Sequence, residues 1–182
     1  YNDMYASSDV SPVVRSEAER TDPHPVYREF MQQRVSQTFA RGEVREEVIP
    51  VYMGLIKQID DQLGVLFRFM GEIGRLDDTM IVFTSDHGDY LGDHWMGEKD
   101  LFHEPSVKVP LIICDPSRKA DATRGLVCDE LVETIDLVPT FLEGLGRDPA
   151  DQSHRLEGRS LLPFLHGQPP AAWRTHAISE YD

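Results

Sequence analysis

A regular spacing of apolar residues between Arg45 and Ile73 constrains the fold of this chain more than any other feature. Apolar side chains recur there at intervals of three or four, which is typical of a helix that buries one stripe. Gly74 follows the last of them and suits a helix C-cap. We therefore predict one long helix over residues 45–73, whose buried stripe would consist of Val48, Val51, Tyr52, Leu55, Ile59, Leu63, Leu66, Phe67, Met70 and Ile73.

Short apolar runs after this helix predict β-strands. The run MIVFT is apolar on both faces, which favours a central strand of a parallel sheet, and Pro110 lies at the start of a second run. The predicted strands are 80–84, 109–116 and 176–182, and the further predicted helices are 26–40, 127–146 (ending at Gly144 or Gly146) and a short helical turn within 156–167. Alternating helices and strands predict an α/β fold, with ligands beyond the carboxyl ends of the strands.

Composition excludes several functional classes. The 182 residues carry a net charge of −14 without a Lys/Arg cluster, so we expect no nucleic-acid partner. No apolar run is long enough to cross a bilayer, and residues 1–20 lack the apolar core of a leader peptide. Cys114 and Cys128 form neither a zinc spacing nor a disulfide framework. We predict a cytoplasmic protein, with a periplasmic or secreted one left open because the chain begins at Tyr1 and is expected to be cut from a longer protein.

The polar segment directly after the first predicted strand is the strongest candidate for chemistry. Asp86 and His87 stand next to each other at the strand end, and a carboxylate and an imidazole together suit a divalent cation. Gly88 then allows a sharp turn into a long loop over residues 88–108, a length that is usually functional. Lys99 lies twelve residues after His87, where a loop that closes on itself could return its ammonium to the strand end. Alternatively, Asp86 caps a turn and Lys99 is a solvated loop residue.

The segment IVFTSDHGDYLGDHWMGEKDLFHEPSVKVPLII, residues 81–113, resembles the second metal motif of the sulfatase family in the alkaline phosphatase superfamily. The similar branch holds phosphonate monoester hydrolases and choline-sulfatase-like enzymes. In those proteins Ser-Asp-His-Gly follows a strand, a functional Lys comes twelve residues after the His, and a Val-Pro-Leu-Ile strand is next. The likeness extends over the chain from about residue 45.

This resemblance implies an alkaline-phosphatase-like three-layer sandwich with a mostly parallel central sheet, present only in part. It makes residues 1–182 the C-terminal portion of a catalytic domain, with an irregular segment and helix in 1–44 and an α/β core portion in 45–182. Asp86 and His87 would hold one divalent metal ion (Ca, Mn, Mg or Zn), and Lys99 would contact the sulfate, phosphonate or phosphate group. His94, His103 and Glu104 are possible supporting residues around these.

The same resemblance implies a formylglycine nucleophile, made from a Cys or Ser, in a part of the protein outside this chain. The chain alone is therefore not expected to turn over its small anionic ester substrate, and the full-length protein is expected to be a homo-oligomer. Two alternatives remain: a two-metal phosphodiesterase or phosphomutase of the same superfamily, and a catalytically dead acidic interaction module.

Two segments of the chain are similar to the acidic pair and the nucleophile motif that the family has in the missing half of the site. Asp60 and Asp61 form an acidic pair, but they lie inside the long helix and are assigned to its polar face. The segment CDPSR, from Cys114 to Arg118, matches the family's Cys-x-Pro-x-Arg nucleophile motif. It follows the Ser-Asp-His-Gly segment instead of preceding it and leads into a loop, so Cys114 is predicted to be a small core residue.

Overall fold

The computed structural model describes residues 1–152 and 154–180. Its residues form two compact units. Unit 1 comprises residues 1–76 and 84–111, and unit 2 comprises residues 77–83 and the chain from Ile112 onward. The helices are α1 (Ala18–Thr21), α2 (Pro25–Gln32), α3 (Arg34–Phe39), α4 (Gly42–Glu72), α5 (Glu104–Val107), α6 (Leu137–Gly144) and α7 (Leu162–Leu165), and the strands are β1 (Ile81–Thr84) and β2 (Leu111–Cys114).

The long helix is confirmed as α4, and its C-terminus is the predicted glycine cap. Gly74 has a φ of 69°, the left-handed conformation that glycine adopts without steric cost. The Arg75 N–H donates to the Met70 carbonyl at 2.8 Å and the Gly74 N–H donates to the Gly71 carbonyl at 3.1 Å. These two bonds form a Schellman motif, which satisfies carbonyls that a helix end leaves without partners.

The apolar stripe of α4 is not buried, contrary to the prediction. Leu55 and Ile59 are 49% and 56% exposed, and Leu66 and Ile73 are similar. The helix residues that are buried are Pro50 and Gly54, the latter beneath the backbone of Tyr1. The periodicity reports which face of a helix is apolar, but burial needs a partner surface, and the described residues supply none along most of this face.

The predicted helix over residues 26–40 is two helices, because Gln33 is extended. Its ψ of 147° interrupts the helical hydrogen-bond ladder, and the same residue is the N-cap of α3. In unit 1, helix α2 packs on a small core formed by Tyr90, Met96 and Leu101, to which it contributes Tyr27, Phe30 and Met31. The long loop over residues 88–108 is confirmed, interrupted by a short 3-10 segment, Asp93–Trp95, and by α5.

The described residues contain one sheet, made of β1 and β2. The prediction that β1 is fully buried is wrong, because Phe83 is 40% exposed and its neighbours are only half-buried. The predicted third strand is not formed by residues 176–180, and residues 181–182 lie outside the described part of the chain. The central sheet of the predicted sandwich is therefore represented here by two strands.

The predicted helix over 127–146 is formed only in its second half, as α6, which ends at Gly144 as predicted. Pro139 explains the late start, because proline is compatible with the first turn of a helix but disrupts helix that precedes it. Residues 134–136 form a 3-10 turn before it. The predicted helical turn in 156–167 is confirmed as α7.

Candidate active site

Asp86 and His87 lie directly beyond the carboxyl end of β1, and their side chains face each other. The His87 Nδ1 atom is 2.8 Å from the Gly88 carbonyl oxygen. A carbonyl oxygen only accepts, so Nδ1 carries a proton and donates it. The other ring nitrogen, Nε2, is 3.4 Å from Asp86 Oδ2. This hydrogen bond to a backbone carbonyl is the arrangement that orients a metal-binding imidazole in proteins, with its free nitrogen toward the metal.

The Asp86 carboxylate is held in its ionised form by nearby N–H groups. A hydrogen bond from its own backbone N–H lowers its pKa most; desolvation opposes this, and the His87 N–H, 3.0 Å from Oδ1, lowers the pKa further. The side chain is 84% exposed. One carboxylate oxygen is thus occupied by local donors, while Oδ2 faces the imidazole with its lone pairs available to a cation.

Gly88 is needed here for close packing. A Cβ atom on this residue would lie 1.9 Å from the Pro105 carbonyl oxygen and 2.9 Å from its carbon. The Gly88 N–H donates to the Ser106 carbonyl at 2.7 Å. The absent side chain therefore allows the far end of the loop to lie against the residue next to His87. The sharp turn expected from the sequence stays a prediction, and this close approach is a separate reason for glycine at position 88.

Backbone hydrogen bonds close the loop on itself between Gly88 and Lys99. The Tyr90 N–H donates to the Glu98 carbonyl at 2.8 Å, and the Gly92 N–H donates to the Met96 carbonyl at 2.9 Å. Tyr90 is buried at the centre of unit 1, and burial raises the pKa of its phenol to about 12. The loop is consequently a packed structure that begins and ends near the same place.

Lys99 has an anchored backbone and an exposed side chain. Its carbonyl oxygen accepts a short hydrogen bond from the Ser106 hydroxyl, and Ser106 in turn binds the Gly88 N–H. Among residues 1–152 and 154–180, its ammonium has no hydrogen-bond or ion-pair partner. One residue thus links the backbones of Lys99 and Gly88. Ser106 was not predicted from the sequence, since a single serine in a loop carries no pattern that signals such a bridge.

The three residues predicted to support the site have other contacts. The rings of His94 and His103 stack with centroids 4.0 Å apart. His94 Nδ1 is 3.4 Å from Glu19, and His103 Nδ1 is 3.0 Å from the Tyr90 hydroxyl. Burial lowers the pKa of His103, and the neighbouring His94 lowers it further. Glu104 is paired with Lys108 at 3.3 Å on the surface of α5. Direct support of Asp86 or His87 by these residues remains a prediction.

The acidic pair and the Cys-x-Pro-x-Arg match differ in how well the structure agrees with their predicted roles. Asp60 and Asp61 pair with Lys57 on the surface of α4, and Asp61 also accepts from the Tyr1 hydroxyl, as expected for a polar helix face. Cys114, in contrast, is exposed, so its assignment to the core is wrong. It ends β2 on the side of the strand that the described residues leave uncovered, and the chain continues into a 3-10 segment, Arg118–Thr123, not into a plain loop.

No group of three or more His, Cys, Asp or Glu side chains gathers around one point in the described part of the chain. Asp86 and His87 therefore lie together without a third such side chain from this part of the chain.

The Sulfatase family model matches residues 17–146. The chain belongs to the sulfatase family. It is 35% identical, over its whole length, to the multifunctional alkaline phosphatase superfamily protein PehA of Trinickia caryophylli, of which it covers 37%. It is 33% identical over 64% of its length to a choline-sulfatase of Rhizobium meliloti, of which it covers 22%. The family prediction, including this branch, is confirmed.

Two solved structures of phosphonate monoester hydrolases share this fold. The phosphonate monoester hydrolase SpPMH from Silicibacter pomeroyi matches 96% of the chain with a TM-score of 0.83 and 32% identity. The phosphonate monoester hydrolase of Agrobacterium radiobacter matches 94% with a TM-score of 0.81. These matches confirm the alkaline-phosphatase-like α/β fold, present in part. The chain spans about a third of the length of these relatives, 37% of PehA and 35% of both hydrolases.

No helix within residues 1–152 and 154–180 is both long enough and apolar enough to cross a membrane.

Proposed function

We propose that the protein carrying this chain is a metal-dependent hydrolase of sulfate or phosphonate/phosphate esters. Support comes from membership of the sulfatase family and from relatives that are named as sulfatases and phosphonate monoester hydrolases. In this proposal, the chain supplies the C-terminal portion of the catalytic domain. The formylglycine nucleophile and the remaining metal ligands come from residues outside the chain.

The facing pair of Asp86 and His87 carries the proposal. Two ligand atoms that each lie about 2.0 to 2.4 Å from one divalent ion are roughly 3 to 3.5 Å apart. The 3.4 Å between Asp86 Oδ2 and His87 Nε2 fits this spacing. In the proposed metal-bound form, His87 would keep its proton on Nδ1, bound to the Gly88 carbonyl, and would offer the Nε2 lone pair to the ion. A cation between Asp86 Oδ2 and His87 Nε2 would then be held by one oxygen and one nitrogen ligand. The donor set fits Ca²⁺, Mn²⁺, Mg²⁺ or Zn²⁺.

Lys99 supplies the second part of the proposed site. A bound divalent ion would polarise the ester oxygens and promote deprotonation of the nucleophile. Lys99, with an ammonium that no described residue engages, would bind the anionic oxygens of the sulfate, phosphonate or phosphate group. Asp86 and His87 would thus hold the cation, and Lys99 would hold and orient the substrate anion.

Single substitutions in the full-length protein test these assignments. Asp86→Ala and His87→Ala should reduce bound metal, because each removes a ligand, and should abolish most turnover of an aryl sulfate and of an aryl phosphonate monoester. Lys99→Ala should leave bound metal unchanged and lower kcat/KM by about 10²- to 10³-fold, as expected for the loss of one group that stabilises transition-state charge. Metal content is measured by elemental analysis and turnover by product release.

The matched control is Asp60→Ala, which removes an exposed carboxylate from the surface of α4 and should change neither quantity. Near-normal turnover in all three site variants would contradict the proposal. Elemental analysis of the unmodified protein also separates one metal ion per chain, as proposed, from the two of a phosphodiesterase or phosphomutase.

A further inference from the structure

We propose that Ser106 is the positioning residue for Lys99: it ties the backbone of Lys99 to the residue that follows His87. This inference rests on the proposed function, since it assigns to Ser106 the task of holding Lys99 where the substrate anion binds.

Ser106 makes both connections from a buried position. It is 3% exposed and is the third residue of the four-residue helix α5. Its hydroxyl donates to the Lys99 carbonyl, and its own carbonyl accepts from the Gly88 N–H at 2.7 Å. Because the first bond uses the side chain and the second uses the backbone, a substitution of Ser106 removes the connection to Lys99 and leaves the one to Gly88.

The backbone is held by hydrogen bonds at three consecutive residues that end with Lys99, whose side chain is not engaged by any residue that the structure describes. The Gly97 N–H donates to the hydroxyl of Ser36, which is 1% exposed, at 3.2 Å. The Glu98 carbonyl accepts from Tyr90 at 2.8 Å, and the Lys99 carbonyl accepts from Ser106. The bond from Ser106 is the last of these and the one on Lys99 itself.

The conformation around Lys99 needs such restraint. Glu98 has a φ of 61° and Leu101 a φ of 70°, so two non-glycine residues in the left-handed region flank the lysine. Such conformations are strained in non-glycine residues and persist only where the surroundings hold them. A lysine side chain is also long and flexible. Fixing its backbone is therefore the means by which the chain can limit where the ammonium reaches.

A double-mutant cycle in the full-length protein tests whether Ser106 acts through Lys99. We expect Ser106→Ala to lower kcat/KM for an aryl phosphonate monoester about tenfold, since a 1 Å misplacement of a catalytic group costs about 10²-fold and the loss of one of three restraints should displace Lys99 less. In a Lys99→Ala background the same change should have less than a twofold effect. Ser106→Thr, which keeps the hydroxyl, should recover most of the loss.

Equilibrium binding of inorganic phosphate provides a readout that does not depend on turnover. Ser106→Ala should weaken phosphate binding in the protein that keeps Lys99. In the Lys99→Ala background, the same substitution should leave the phosphate affinity unchanged. The matched control is Thr140→Ala. Thr140 is also a buried hydroxyl that joins two backbone segments, donating to the Asp136 carbonyl and accepting from the Leu161 N–H, but it belongs to unit 2. Its loss should lower the unfolding temperature without changing phosphate binding.

The results of these experiments separate the positioning role of Ser106 from the substrate-binding role of Lys99. Equal losses from Ser106→Ala in both backgrounds, or none in either, would overturn the positioning role. If Lys99→Ala itself kept normal kcat/KM and phosphate binding, the assignment of Lys99 under the proposed function would fail. Ser106→Ala would then be expected to act on stability alone.

Discussion

Replacing Gly88 with alanine tests the idea that close backbone packing builds this site. The new Cβ atom would lie 1.9 Å from the Pro105 carbonyl oxygen, whereas such contacts are essentially never shorter than 3.0 Å. The two backbone segments must therefore separate by about 1.1 Å. Neither partner is a flexible side chain, so the strain cannot be relieved by a rotamer change.

The separation determines the size of the expected effect. A retreat of about 1.1 Å stretches the 2.7 Å bond between the Gly88 N–H and the Ser106 carbonyl beyond hydrogen-bond range. Loss of a buried hydrogen bond of this kind costs about 1–3 kcal/mol of unfolding free energy. Since Ser106 also binds the Lys99 backbone, the lysine moves with it, and a displacement of about 1 Å is expected to cost about 10²-fold in kcat/KM.

Urea unfolding and steady-state kinetics of the full-length protein measure these two effects. The matched control is Gly71→Ala in α4, where a Cβ atom meets nothing within 4 Å. That change should stabilise the helix by about 0.5–1 kcal/mol and leave kcat/KM unaltered. If Gly88→Ala kept wild-type stability and activity, the account of the packing between Gly88 and residues 105–106 would be refuted.

Two further predictions concern stability. Arg174→Ala should cost about 3–5 kcal/mol of unfolding free energy, because it leaves the fully buried Asp136 carboxylate, which it now binds through two N–H groups at 2.6 Å, without its cation. The exposed ion pair between Arg124 and Asp121 should contribute less than about 1 kcal/mol. Equal effects of Arg124→Ala and Arg174→Ala in urea titrations would therefore refute this prediction. Since the folded pKa of His103 is lowered by burial and by His94, the unfolded chain binds more protons as pH falls through about 6.5. The unfolding free energy should therefore decrease between pH 7.5 and 5.5, and a His103→Gln variant that kept the full pH dependence would contradict this assignment.

Local features of the fold could be predicted because they depend on neighbours in sequence. The apolar spacing and Gly74 defined α4 and its end, since helix formation and a Schellman cap involve residues within one or two turns. The late start of α6 could have been predicted in the same way from Pro139. The break at Gln33 was missed because nothing in its immediate sequence forbids a helix.

Burial was predicted poorly because it depends on surfaces that lie far away in sequence. Leu55 and Ile59 have the pattern of a core face and are exposed, and Cys114 ends an apolar strand and is exposed as well. A one-dimensional pattern records what a side chain would prefer to contact. It does not record whether a partner surface is present in the described residues.

The sequence by itself determined the family, the long helix, and the placement of Asp86 and His87 at the end of a strand, since these depend on motif spacing and local geometry. Only the tertiary structure decided that His87 donates through Nδ1 to Gly88, and that Ser106 links the backbones of Gly88 and Lys99. Contacts between residues that are seven and eighteen positions apart depend on how a loop closes. Packing and hydrogen bonding in three dimensions decide how the loop closes. The sequence of the loop alone is compatible with many closed conformations.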